Sequence, residues 1–95
     1  MAETKRLILD ILKPHEPELP EFVGALADAD SVDAVNASLL EIDREVQNVK
    51  LTIAGDDVDF HELESLVGEL GGTIHSVDRV VCGEYVVEER ATPQD

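Results

Sequence analysis

The chain has 95 residues, of which 22 are Asp or Glu and only 7 are Lys or Arg, giving a formal net charge of −15. That sign excludes nucleic acid and anionic membrane surfaces as partners, because both recruit clustered basic residues. With 43% hydrophobic residues, few aromatics and one cysteine, the chain is one domain with a core of Leu, Ile, Val and Ala, and it lacks the cysteines for a disulfide framework or a thiolate metal motif.

The opening residues, Met1 to Arg6, have no signal-peptide layout. No run of about 18 apolar residues is present to span a bilayer, so a cytoplasmic location is expected. Leu7-Ile8-Leu9-Asp10-Ile11-Leu12 reads as a strand buried on at least one face. Lys13-Pro14-His15-Glu16-Pro17 follows, and its two prolines predict a loop. Leu19, Phe22, Val23 and Leu26 then keep helical spacing. Glu18 and Glu21 suit the positive end of that helix, where Pro20 is tolerated. Residues 28–33 are a polar turn into a second strand over 35–42. Residues 43–45 turn into a third strand, in which Val49, Leu51 and Ile53 point one way and Lys50 and Thr52 the other.

Gly55 ends that strand. Asp59 and Glu62 have capping-box spacing, Phe60, Leu63, Leu66, Val67 and Leu70 form a helical stripe, and Gly71-Gly72 stops it. Residues 73–81 predict a fourth strand. Its apolar residues Ile74, Val77, Val80 and Cys82 do not keep a period of two, and a bulge between Ile74 and Val77 restores the register. Tyr85-Val86-Val87 is a candidate short fifth strand. Residues 1–90 are read as a single domain and 91–95 as a polar tail.

The order β-α-β-β-α-β, with right-handed crossovers and a central hairpin, predicts an α+β, ferredoxin-like two-layer sandwich: two helices on one face of an antiparallel sheet of order 4-1-3-2. With Leu7, Leu9 and Ile11 turned to the helices, Ile8, Asp10 and Leu12 face outward. Leu40 and Ile42 join them if Val35, Ala37 and Leu39 point inward. Apolar residues on an uncovered face mark association sites, so a homo-oligomer is expected through the open sheet face or the sheet edges.

Several stretches carry a resemblance: Leu9 through Pro17, Glu41-Ile42-Asp43-Arg44-Glu45, Ile53 through Phe60, Ile74-His75-Ser76-Val77-Asp78, and the closing Thr92-Pro93-Gln94-Asp95. Together they resemble the archaeal family catalogued as domain of unknown function 211, over nearly the whole chain. The resemblance implies a ferredoxin-like fold, homo-oligomeric assembly and an archaeal source. It implies no activity.

Two groups of side chains are candidate sites. His15 and Glu16 follow strand 1 and His75 enters strand 4, its predicted neighbour, with Asp10 further down strand 1. Imidazoles with carboxylates suit a transition metal such as zinc. The plainer reading is that His15 bonds its own loop and His75 is a polar strand residue. At the opposite end Asp56 and Asp57 precede helix 2, near Asp28, Asp30 and Asp33, and oxygen clusters suit calcium or magnesium. Asp59 is better read as a helix cap, and acidic turns are ordinary in so acidic a chain. His61 is read as solvated and Cys82 as a small buried hydrophobe. No phosphate-cradling glycine motif or Ser-His-Asp set is present.

The expected function is therefore a non-enzymatic, homo-oligomeric module that binds a small ligand or protein partner without a resident cofactor. A divalent-cation binder is the alternative. The acid excess with only Lys5, Lys13 and Lys50 as lysines fits a high-salt cytoplasm; an acidic surface for a basic partner is the rival reading. Fifteen uncompensated negative charges repel one another in the folded state. Salt shortens the screening length from about 10 Å at 0.1 M to about 3 Å at 1 M. The melting temperature should therefore climb between dilute and molar potassium chloride, by about 4–8 °C for each kcal/mol of repulsion relieved. A melting temperature independent of salt in a calorimetric series would contradict the high-salt reading.

Overall fold

A computed structural model describes residues 2–87. The elements are β1 (Thr4–Pro14), α1 (Leu19–Ala27), β2 (Ala34–Ile42), β3 (Val46–Ala54), α2 (Phe60–Glu69) and β4 (Thr73–Cys82). They form a four-stranded antiparallel sheet of order β2-β3-β1-β4, the expected order read from the other edge. Residues 83–87 do not form the candidate fifth strand. The boundary at residue 90 and the tail over 91–95 lie outside the described residues.

The core is one cluster between sheet and helices. Leu7, Leu9 and Ile11 of β1 and Val49, Leu51 and Ile53 of β3 supply the sheet side, and Phe22, Leu26, Leu63 and Val67 the helix side. Burying side chains of this size is worth about 1.5–3 kcal/mol each. Val32 and Val58, from the loops before β2 and α2, close the lower end of this core.

The helix boundaries have local causes. The Asp59 side chain accepts the Glu62 backbone N–H at 3.2 Å, as expected of an N-cap. The reciprocal half of the capping box is absent: Ser31 Oγ donates to Glu62 Oε1 at 2.6 Å and accepts the Asp59 N–H at 3.0 Å. A loop serine thus takes the role that Glu62 was expected to play. At the other end, Gly71 N–H donates to Gly68 O at 3.0 Å and Gly72 N–H to Val67 O at 2.8 Å, with Gly71 at φ +88°. This is a Schellman stop, and it needs a glycine in the left-handed region.

The sheet departs from strict alternation at its edges. In β2, Val35, Ala37 and Leu39 stand opposite Ile53, Leu51 and Val49, the inward set, as expected. A register shift after Leu39 then sets Glu41 opposite Asn48 and Ile42 opposite Gln47, so Leu40 and Ile42 do not simply continue one outward row. In β4 one shift skips His75, inside the predicted window, and a second skips Asp78. The burial expected of Cys82 does not occur. It is exposed at the end of the edge strand, its Sγ 3.6 Å from Thr4 Oγ1, and the neighbouring Val81 is the buried residue.

The prolines of the Lys13–Pro17 segment do not end the strand where the sequence suggested. β1 runs through Lys13 and Pro14, which stand opposite Gln47 and Val46. Proline is admitted because the pairing with β4 stops at Leu12, so Pro14 is flanked by β3 alone and sits locally at a sheet edge. Lys13 therefore continues the inward series of Leu7, Leu9 and Ile11, and its side chain is fully buried. Its ammonium donates to Pro14 O at 2.8 Å and Gln47 Oε1 at 3.1 Å, and lies 5.8 Å from the centroid of the Phe22 ring.

Burial pushes the Lys13 amine below its ordinary value of 10.5, against the smaller opposing pull of Glu16 and Glu18. An amine that loses its proton more readily folded than unfolded makes stability rise with pH from the folded value up to 10.5. Below the folded value its charge is buried at full cost. Lys13→Met keeps the stem and removes the charge, so it should make the slope of a urea-midpoint-against-pH curve less positive (or more negative) below 10.5 at fixed salt. Equal slopes for the two proteins would contradict this assignment.

Candidate functional site

The end of the sheet where β1 finishes, β4 begins and the β2–β3 hairpin turns carries a hollow. It has a volume of about 400 Å³ and is lined by Asp10, Leu12, Glu41, Ile42, Asp43, Val46, Asn48 and His75. That lies within the ~300–1,000 Å³ range of ligand clefts. Asp10 and His75 were predicted site residues, and the strand register brings them to this one hollow. Asp10 stands opposite Ser76, and the next residue of β4, His75, is skipped by the register shift. Glu41, Asp43 and Asn48 were not predicted. Glu41 arrives through the β2 shift that aligns it with Asn48, and irregular pairing of this kind leaves no period in a sequence.

Two of the three carboxylates here, Asp10 and Asp43, are tied down. Asp10 Oδ1 accepts from Asn48 Nδ2. Asp43 Oδ1 accepts the backbone N–H groups of Glu45 and Val46, each at 2.9 Å, which shapes the hairpin. The Val46 bond, then the Glu45 bond, and more weakly the nearby His15 imidazole hold the Asp43 carboxyl below its ordinary value.

His15 belongs to the same end but not to the lining. Its Nε2 lies 2.9 Å from Asp43 O, and its Nδ1 lies 3.4 Å from Gln47 Nε2. Gln47 Oε1 already accepts from Lys13, so its amide N–H₂ faces His15. A chain of contacts thus runs from the buried ammonium through Gln47 and His15 to the hairpin. His15 joins the β1–α1 loop to the hairpin rather than to His75. Glu16 is exposed on that loop and is absent from the hollow's lining.

Asp56 and Asp57 lie at the opposite end, together with the loop before β2 as the topology required. The Asp33 N–H donates to Ala54 O at 2.8 Å. Asp57 Oδ1 accepts the Thr4 N–H at 3.2 Å, and Asp56 is exposed. A side chain at Gly55 would strike the Ser31 carbonyl, so that crossing of loops requires glycine. Among the described residues, no three His, Cys, Asp or Glu side chains converge on a point that would hold a metal ion. His61 is solvated, 3.6 Å from Glu64.

The open face of the sheet is more polar than expected. Ile8 and Leu12 are half-buried there, as predicted from the alternation of β1, but Ile8 has Thr52 and Arg79 as neighbours and Leu12 has Asn48 and Thr73. The large exposed apolar residues lie mainly on the edge strands: Leu39, Leu40 and Ile42 on β2, Val77 and Val80 on β4. Among the described residues no helix is long and apolar enough to cross a membrane.

Comparison with known proteins gives a family. The model of the family DUF211, described as "Uncharacterized ArCR", matches residues 5–95. The chain is also similar to the uncharacterized protein MJ0319 of Methanocaldococcus jannaschii. The two are 48% identical over 95 residues, which is 100% of this chain and 98% of that protein. On the length of the family match and the identity to this archaeal relative, the chain belongs to the DUF211 family.

Proposed function

We propose that the protein is a non-catalytic module of a high-salt cytoplasm that assembles with copies of itself through its sheet edges and holds a small ligand in the hollow beside the hairpin. The observation that supports it most is the character of the edge strands. In a chain with 31% charged residues, β2 carries only Glu41 among its nine residues. β4 carries Asp78 and Arg79, which cancel. Proteins ordinarily guard sheet edges with lysine, proline or inward charges; neither edge strand here contains a lysine or proline, and the pairing of β2 is regular from Ala34 to Leu39. Leu40 is 53% exposed and Val80 is 52% exposed.

Strand direction supports the same reading. β2 and β4 lie at opposite edges and run in opposite directions. The β4 edge of one copy can therefore continue the antiparallel sheet onto the β2 edge of the next. The neutrality of these edges lets copies approach despite a net charge of −15 each. A non-catalytic role fits the polar surroundings of Cys82, which meets the Thr4 hydroxyl rather than a base.

Sedimentation velocity at micromolar concentration in molar salt should show an assembled species. Leu40→Lys combined with Val80→Lys, both exposed positions, should convert it to monomer with an unchanged far-UV circular dichroism spectrum. A wild-type monomer at every salt concentration would end the self-association reading. A second reading, a divalent cation in the hollow, has Asp10, Glu41, Asp43 and His75 along the lining, and it requires them to draw together on binding because no three of them converge here. Calorimetric titration of chelator-treated protein with zinc, manganese and calcium then gives heat that disappears in Asp10→Asn/His75→Ala. No heat and no shift in melting temperature would remove this reading.

A further inference from the structure

The charge of this chain is not spread evenly over its two layers. The helices with their flanking loops, residues 15–33 and 55–72, carry twelve Asp and Glu and no Lys or Arg. The strands with the hairpin and the described ends, residues 2–14, 34–54 and 73–87, carry seven acidic and six basic residues. A charge coat serving only solubility in salt has no reason to leave the sheet layer nearly balanced.

Within the anionic layer a groove runs between the helices. It has a volume of about 390 Å³ and is lined by Ala25, Asp28, Ala29, Asp30, Glu62, Ser65, Leu66 and Glu69. Its floor is apolar, because Ala25 and Ala29 are small and leave Leu66 reachable from outside. Its two walls carry facing carboxylates, Asp28 and Asp30 on one side and Glu62 and Glu69 on the other. The walls are held together by the Ser31 hydroxyl, which donates to Glu62 and accepts from the Asp59 N–H. Opposed carboxylates across an apolar floor repel each other when the groove is empty, and a cation spanning them relieves that repulsion.

We propose that this groove is a docking site for a basic amphipathic segment of another protein, with its apolar side chains on the Ala25–Ala29–Leu66 floor and its Lys or Arg side chains on the two acidic walls. Charge complementarity selects the occupant. Nucleic acid and anionic lipid have the wrong sign. Among the described residues, a second copy of this chain offers Lys50 and Arg79 only on the flat strands of its open sheet face, with Asp10 beside them, and a flat sheet does not lower its side chains onto a floor between two helices. A bare metal ion has no use for the apolar floor. The site lies on the helix layer and is independent of assembly through the sheet edges, so the two readings can fail separately.

The test is fluorescence anisotropy on the full chain, in the lowest potassium chloride concentration that preserves its native far-UV spectrum. The probe is a labelled peptide with leucine and lysine at helical spacing; an oligolysine of equal charge is the comparison. Ser65→Lys sets a positive charge at an exposed position in the groove, and Thr52→Lys makes the same charge change on the open side of the central strand β3, away from both sheet edges. The expected result is binding of the amphipathic peptide that Ser65→Lys weakens by at least about tenfold and Thr52→Lys by less than about twofold. No binding, equal weakening by the two variants, or oligolysine binding as tightly would each overturn the proposal. So would two results obtained without peptide binding: self-association lost in Ser65→Lys, which assigns the groove to a second copy, or a magnesium-binding heat lost in it, which assigns the groove to a hard cation.

Discussion

The constraint from which the rest follows is like-charge repulsion on a small globule. Two unit charges about 10 Å apart repel by about 0.4 kcal/mol in water before screening, and the helix layer alone holds twelve acidic residues with no basic one among them. A domain of this size has a net stability of only about 5–15 kcal/mol. The fold accommodates the load by segregating it. Carboxylates crowd the helices and their loops, at the rim of the molecule, while the sheet beneath keeps near-neutral edges. One layer is consequently repulsive to its own kind, and the other is not.

The apolar core works against that repulsion, and β1 is its axis. β1 is paired on both sides, by β3 and β4, and presents Leu7, Leu9, Ile11 and Lys13 to the helices. The last of these is the unexpected member. A lysine at the end of an inward row keeps its stem in the core and its ammonium buried, where Pro14 O and Gln47 Oε1 accept its hydrogen bonds. Gln47, so oriented, offers its amide to His15, and His15 reaches the Asp43 carbonyl. The hairpin that walls the hollow is thereby tied to the interior of the sandwich, which links a packing feature to the shape of the proposed ligand site.

The architecture was largely legible from the residues because each element carries its own signal. The stripe Phe60, Leu63, Leu66, Val67, Leu70 and its Gly71-Gly72 stop specify α2, and Val49, Leu51 and Ile53 specify the buried face of β3. The awkward spacing of Ile74, Val77 and Val80 announced a bulge in β4, though not that there are two. Less was legible where long-range partners override local preference. Pro14 and Pro17 suggested a loop from Lys13 onward, yet pairing with Gln47 and Val46 carries the strand through Pro14. Cys82 looked like a small core residue, yet Val81 takes the buried position. Of the predicted site residues, Asp10 and His75 line one hollow, His15 turns to the hairpin, Glu16 stays on the loop, and Asp56 and Asp57 stand at the far end. Glu41 and Asn48 were missed because a register shift aligns them.

The proposed assembly pairs the near-neutral edges of the sheet with copies of the chain and leaves the anionic helix layer facing outward. Amide hydrogen exchange in molar salt tests it most directly, by comparing dilute with concentrated protein residue by residue. Amides of β2 between Ala34 and Leu39, and of β4, should gain protection as concentration rises, while those of α1 and α2 should not. Protection in both edge strands independent of concentration, or a gain confined to the helices, would contradict it.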